Sequence, residues 1–326
     1  MRIASRAREL ADALKRRPRV LRAVEVAVFM IVIGLCVYGV KDVWGKAGPR
    51  LENANLGLFG LALATIAAYY LVFIFGWMRI LAAWGIEIPY RVALQAEMIS
   101  MLAKYVPGGV WTPAARVAAL ARLTGETRRA TVLASILVEA VLSAISGVIV
   151  FVVSLAWVRG VNAPLEPLIA FAVVCAILMH PRVFRPVAGR LLRRFGVPAL
   201  DPLPFPTMVG LLGYYCLTWL VAGFGLYFLI RSVGDNPGIA TVAFLGGTAA
   251  VGAIVAVVAV FAPSGLGVRE ASMYGLLIAV TSNSAALGAT ILNRLAITIV
   301  ELALFGIGIV AWRLDRARRS AQANPT

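Results

Sequence analysis

The sequence predicts an all-α polytopic membrane protein, an inverted repeat of spans built around two re-entrant, Gly/Pro-broken helix hairpins. Three observations predict it. The first is composition: 61% of the 326 residues are hydrophobic and 14% are charged, with a mean hydropathy of +0.89, which suits hydrocarbon rather than water. The second is the placement of positive charge. A net charge of +16 would also suit nucleic acid, but Lys and Arg cluster between apolar runs, where they set topology and meet anionic headgroups, so no nucleic acid is expected as partner. The third is a pair of irregular, charged interruptions in apolar sequence, Lys104–Pro113 and Pro263–Glu270. In hydrocarbon every backbone amide needs a partner, so such segments line a cavity or pack inside protein.

Residues 1–22 carry Arg2, Arg6, Arg8, Lys15, Arg16, Arg17, Arg19 and Arg22 against Glu9 and Asp12, and read as a basic cytoplasmic segment. A first span is expected at about 23–41. Its apolar run Ala27–Val40 resembles a signal peptide, but no small-residue cleavage site follows, so it reads as uncleaved. Leu56–Ala83 returns, with Tyr69, Tyr70 and Trp77 as interfacial anchors. Tyr90–Ala103 and Ala114–Leu123 flank the first break, too short and too charged to span, and read as a hairpin closed on the cytoplasmic side by Arg122, Arg128 and Arg129. Ala130–Val158 goes out and Leu165–Met179 comes back to Arg182, Arg185, Arg190, Arg193 and Arg194. After the proline-rich link Pro198–Pro206, Met208–Ile230 goes out again. Region 239–282 holds the second break, and Ala286–Trp312 leads to Arg313, Arg316, Arg318 and Arg319 and a cytoplasmic tail over 315–326. Two cytoplasmic termini require 239–282 to start and finish outside, as a hairpin opening the other way.

This makes residues 23–314 one transmembrane domain with repeat halves at about 23–160 and 162–314. Ala134-Ser135-Ile136-Leu137 matches Ala289-Thr290-Ile291-Leu292 at an offset of 155, and Pro107 matches Pro263 at 156. Apolar helices match by chance often, so the weight lies in the agreement with the charge-derived topology. Inverted repeats with broken segments at matching positions are a transporter architecture, with substrate held near the midplane.

Pro263 stops a helix, and Gly265 and Gly267 leave amides open at the start of the next, which makes an anion site with Arg269 in the first turn. Lys104, Gly108, Gly109 and Arg116 are the matching residues of the first hairpin, although headgroup contact at the rim accounts equally well for Lys104 and Arg116. Both sets are read as lipid-phosphate ligands, one for each access state. Glu139, Arg294 and Glu301 lie deepest in apolar runs, with Glu270 beside Arg269, and form a buried charge set for pairing or gating; each such charge costs about 2.5–3.5 kcal/mol at the bilayer centre. Glu139 and Arg294 follow the matched tetrapeptides by the same step, so an ion pair between them across the repeat axis is expected, with Glu301 as the competing partner of Arg294. Arg79 and Glu97 read as wet, and Trp111 and Tyr105 as interface anchors. His180 stands alone, and Cys36, Cys175 and Cys216 show no paired spacing, so neither metal nor disulfide is indicated. No Asp-x-Asp pair, Gly-x-Ser-x-Gly or Walker loop occurs, so no catalytic residue, cofactor or enzymatic activity is expected.

The two motifs Lys104-Tyr105-Val106-Pro107-Gly108-Gly109-Val110-Trp111 and Pro263-Ser264-Gly265-Leu266-Gly267-Val268-Arg269-Glu270 resemble the signatures of the lysylphosphatidylglycerol synthase transmembrane-region family, over about 20–314. In its best-known member, the multiple peptide resistance factor, this module is joined to a soluble aminoacyl-transferring domain and is regarded as the flippase for the product lipid. The resemblance implies lipid translocation and does not carry over aminoacylation. The expected function is a lipid translocase for an anionic or modified phospholipid or a polyprenyl-phosphate-linked lipid in the cytoplasmic membrane. Two other classes stay open at this point: a membrane-embedded transferase using a lipid-linked donor, and a scaffold for a partner lipid or glycan synthase. An oligomer is compatible with either.

Overall fold

The computed structural model describes residues 52–101, 103, 111–158, 161, 165–180, 182–186, 201–259 and 267–323, the last thirteen by backbone alone. The expected first span lies outside them. Every described regular element is helical: α1 Leu56–Ala83, α2 Tyr90–Met101, α3 Trp111–Thr124, α4 Arg129–Ser154, α5 Leu165–Met179, α6 Phe205–Ser232, α7 Val242–Val258 after a 3-10 turn Ile239–Thr241, α8 Val268–Leu277 and α9 Asn283–Ala323. Among the described residues five stretches are long and apolar enough to cross a membrane, namely Leu56–Ala83, Arg129–Ser154, Phe205–Ser232, Ile239–Val258 and Asn283–Val310. The chain is therefore a multi-pass membrane protein. Ile239–Val258 is longer than a hairpin arm need be, because the 3-10 turn extends α7 at its start.

Backbone punctuation sets the boundaries. Asn55 caps α1, its Oδ1 accepting from Leu58 N–H at 3.1 Å, and Pro206 opens α6 where a missing N–H costs nothing. Gly125 and Gly234 take positive φ and turn the chain after α3 and α6.

The links between helix ends define the two ends of the bundle. Asn55 N–H donates to Ser232 O (2.8 Å), so α1 begins where α6 stops. At the opposite end Trp84 Nε1 donates to Asp201 O (2.9 Å), just before α6 begins. There too Arg128 Nη2 donates to Gly85 O (3.0 Å), so the α2–α3 unit starts and finishes at this end. The α7–α8 unit starts and finishes at the other end, where Asp235 accepts from the Thr281 hydroxyl and from Ser282 N–H (2.9 Å). Those bonds to the ionised form hold the Asp235 carboxyl down at about 2, with Thr281 the largest cause. The α2–α3 and α7–α8 pairs thus begin and finish at opposite ends of the bundle.

Glycines hold the centre together. A side chain on Gly246 would strike the Trp219 carbonyl of α6, one on Gly223 the Val242 carbonyl of α7, and one on Gly147 of α4 the methyl of Ala250. These contacts let α7 lie directly on α6 and α4, the small-residue packing that holds helices together where lipid supplies no hydrophobic drive. Trp219 closes the junction by donating Nε1–H to Ser143 O at 2.8 Å. Apolar residues such as Leu61, Leu133, Ile149, Val173, Val174, Ile177 and Leu217 stay exposed, as a lipid-facing surface requires.

The aromatic residues of α1 are not interfacial anchors. Trp77 is fully buried, donating Nε1–H to Ser135 Oγ at 2.8 Å, and Tyr70 donates its hydroxyl to Glu301 Oε1 at 2.5 Å. Tyr69 stacks among Tyr70, Phe73 and Trp219, with ring centroids 5.5–5.8 Å apart. Hydropathy cannot distinguish an aromatic at a span's end from one turned toward neighbouring helices.

Candidate functional site

Depth along each helix places the charges. Glu139 lies ten residues past the start of α4 and Arg294 eleven past the start of α9, a rise of about 15 Å from opposite ends. In a hydrocarbon layer about 30 Å thick both reach the middle. The ten residues of α8 likewise raise its N-terminus about 15 Å from the end where it finishes. Charged side chains therefore gather at mid-depth, where two broken units arrive from opposite directions.

In the first half Arg116 of α3 is the centre. Its Nη1 lies 2.6 Å from Glu139 Oε2, and its Nη2 pairs with Glu97 of α2. The Trp77 ring covers the guanidinium at 5.0 Å, and Tyr215 Oη stands 3.5 Å from the second oxygen of Glu139. Arg116 is 6% exposed and Glu139 3%. Two expectations change here. Arg116 is not a rim residue free for a lipid phosphate, because two carboxylates hold it. Glu97 is not wet, because α2 runs inward from its end of the bundle and carries that face against α3.

In the second half Glu270 Oε1 lies 3.5 Å from Arg294 Nη1. The pair expected between Glu139 and Arg294 is not what forms. Each residue pairs with the short helix that precedes its own in the chain: Glu139 with Arg116 of α3, Arg294 with Glu270 of α8. Of the two ion pairs, α4 contributes the acid to one and α9 the base to the other.

Gly267 also differs from expectation. Its N–H donates to Glu270 Oε2 at 2.7 Å, half of a capping box, so that amide is engaged. A Cβ there would meet nothing within 4 Å, but φ is +82°, so the glycine is needed for its backbone angle rather than for room. Arg269 follows it, its stem 3.4 Å from where a side chain on Gly252 would begin, and its Nε is buried with no hydrogen-bond partner among the described residues. Lys104, Gly108, Gly109 and Gly265 lie outside the described residues.

Tyr69 and Tyr70 join the two clusters. Tyr69 is within electrostatic reach of Glu97 and Glu139 on one side and Arg269 on the other, and Tyr70 links Glu301 with Arg269. Sequence reasoning missed Glu97, Tyr215 and these tyrosines. Only the 155-residue offset could have flagged Glu97, which it aligns with Gly252 beside Arg269.

Arg79 is exposed, as is Trp111, at 50%. His180 Nδ1 accepts from Arg182 N–H (3.3 Å), and among the described residues no three His, Cys, Asp or Glu are grouped to hold a metal ion.

The profile of the lysylphosphatidylglycerol synthase TM region matches residues 22–304, most of the chain. The chain belongs to that family. Its matched region takes in both broken units and every charged residue of the two clusters, so the site lies within the lysylphosphatidylglycerol synthase transmembrane module and points to a membrane-lipid function. No curated protein matches the chain.

Proposed function

We propose that the protein is a lipid translocase of the cytoplasmic membrane, moving an anionic or modified phospholipid, or a polyprenyl-phosphate-linked lipid, between leaflets without catalysing a chemical reaction. The reading rests on one observation: two broken helix pairs open to opposite ends of the bundle and bring their charges to the same depth. In this proposal α2–α3 and α7–α8 are re-entrant hairpins of an inverted repeat. The end holding Gly85, Arg128 and Asp201 faces the cytoplasm, since Arg122, Arg128, Arg129, Arg182 and Arg185 collect on that side. Arg269, whose buried Nε has no hydrogen-bond partner among the described residues, takes the lipid phosphate through its guanidinium fork. A lipid or glycan synthase would be the partner that supplies the substrate.

The test uses liposomes containing purified protein and fluorescent phosphatidylglycerol, with a membrane-impermeant quencher outside. Quenching should proceed past the outer-leaflet share, and Arg269→Ala should slow it, with Arg269→Lys only partly better because a point charge replaces a fork. Quenching that stops at the protein-free level would overturn the translocase reading. In a cysteine-free background, a cysteine at Asn283 should label from outside cells and one at Gly125 only after permeabilisation; the reverse would refute the orientation.

A further inference from the structure

Among the described residues the cluster of α2, α3 and α4 carries more acid than base. Glu97 and Glu139 share the single guanidinium of Arg116, and all three side chains are removed from water, at 14%, 4% and 8% exposure. The other groups that face them do not offset the excess. Tyr215 of α6 and Tyr69 of α1 are neutral phenols, and Glu301 of α9 faces Glu97 with the same sign. Arg269 of α8 reaches Tyr69 but is not among the described groups acting on either carboxylate. Arg116 Nε is buried with no hydrogen-bond partner among the described residues, so its hydrogen-bonding capacity is not exhausted by the two carboxylates. Two buried carboxylates on one guanidinium leave a net negative charge whose burial is costly, and a proton is the ligand that removes it.

The location gives that proton a use. The triad joins α2, α3 and α4, that is, both arms of the first broken unit and the long helix that follows it, about 10–15 Å from the end where Gly85 lies. When one carboxylate takes up a proton as –COOH it ceases to be the anionic partner of Arg116, and one of the two ties holding α3 is loosened. When the proton leaves to the other side, the tie re-forms.

We propose that the Glu97–Arg116–Glu139 triad is a proton-binding site that couples lipid movement through this protein to the transmembrane proton gradient. The inference rests on the translocase reading above.

The experiment uses the full chain in liposomes with fluorescent phosphatidylglycerol, a pH difference of one unit, and the membrane potential clamped at zero by equal potassium and valinomycin. One proton per lipid should shift the steady-state leaflet ratio of the probe by about tenfold, toward the alkaline side for co-transport or the acidic side for exchange. Glu97→Gln should bring the ratio back to that seen without a gradient. Infrared spectra of the wild-type protein should contain a protonated-carboxyl C=O band that Glu97→Gln removes or shifts. Lipid crossing in the wild type with no accumulation would overturn the coupling while leaving the translocase reading intact. No lipid crossing at all would overturn both. Accumulation that follows a sodium gradient at equal pH, or absence of the carboxyl band, would also overturn the proton assignment. The wild-type measurements decide the matter even if Glu97→Gln does not fold.

Discussion

In the first half of the molecule Arg116 on α3 faces Glu97 on α2, and Glu139 on α4 holds it from the other side. In the second half the place on α7 that lies 155 residues after Glu97 is Gly252, and the arginine of α8 packed against it, Arg269, keeps a buried Nε with no hydrogen-bond partner among the described residues. The second-half ion pair, Glu270–Arg294, is longer at 3.5 Å and wetter, with side chains 25% and 11% exposed. The two charge sets therefore differ in their electrostatic settings: a tight, acid-rich triad on one side and a longer pair near Arg269 on the other. A translocator that holds its substrate anion on one side and a coupling charge on the other needs such an inequality between its halves.

The largest effect should come from removing the arginine of the tight half. Arg116→Met strands two buried carboxylates, and breaking a buried pair costs about 3–5 kcal/mol, so folded protein in detergent should fall sharply on fluorescence-detected size exclusion. Arg294→Met breaks a longer pair, at 3.5 Å and with its carboxylate partner 25% exposed, and should lower the yield of folded protein less than Arg116→Met does. Equal losses from the two substitutions would remove the inequality.

Next is the glycine junction that seats the second half on the first. Gly246→Val drives a side chain into the Trp219 carbonyl, and overpacking of this kind costs about 1–3 kcal/mol or more. Gly275→Ala, on the same broken unit but facing open space, should leave the melting temperature almost unchanged. A tolerated Gly246→Val would mean that α7 is not packed directly on α6.

Gly267 gives a smaller effect with a sharper meaning. Because φ is +82° and the space is open, Gly267→Asn should be tolerated, whereas Gly267→Val should lose about 1–2 kcal/mol in the left-handed region. If both variants fold well but fail to move lipid, close approach of a ligand rather than backbone angle is the reason for the glycine.

The smallest effect lies at the link that fixes the opening of α7–α8. The Asp235 carboxyl is held below its ordinary value, at about 2, so the stability it contributes is present above its unfolded value of 3.8. That contribution should fade as pH falls from about 4 toward 2, and should be missing at all pH values in Asp235→Ala. An Asp235→Ala melting curve parallel to wild type from pH 6 to 2 would show that the link contributes nothing.

Much of the fold was legible because its signals are local. Leu165–Met179 was bounded to the residue by hydropathy, and Leu56–Ala83 likewise, since apolar length and a capping Asn55 are written in consecutive residues. Clusters of Arg at 122–129 and 182–185 fall at the bundle end that also holds Gly85 and Asp201, because linkers of a few residues leave them nowhere else to go. The site was legible only as a set. Glu139, Arg294, Glu301 and Glu270 stood out by their cost in an apolar setting, while Glu97 looked like the end of a short polar helix and Tyr70 like an anchor.

The sequence by itself determined membrane residence, the order of long and short helices, and which residues carry charge into the apolar interior. The tertiary structure decided who meets whom. Whether Glu139 turns toward Arg116 or Arg294 depends on the rotation of α4 about its axis and on how far α3 runs inward, and both are set by contacts with residues tens to hundreds of positions away. Gly223, Gly246 and Gly147 illustrate the same limit. As letters they are helix-weakening residues in apolar runs, and only when α7 lies against α6 and α4 do they become the places where three backbones touch.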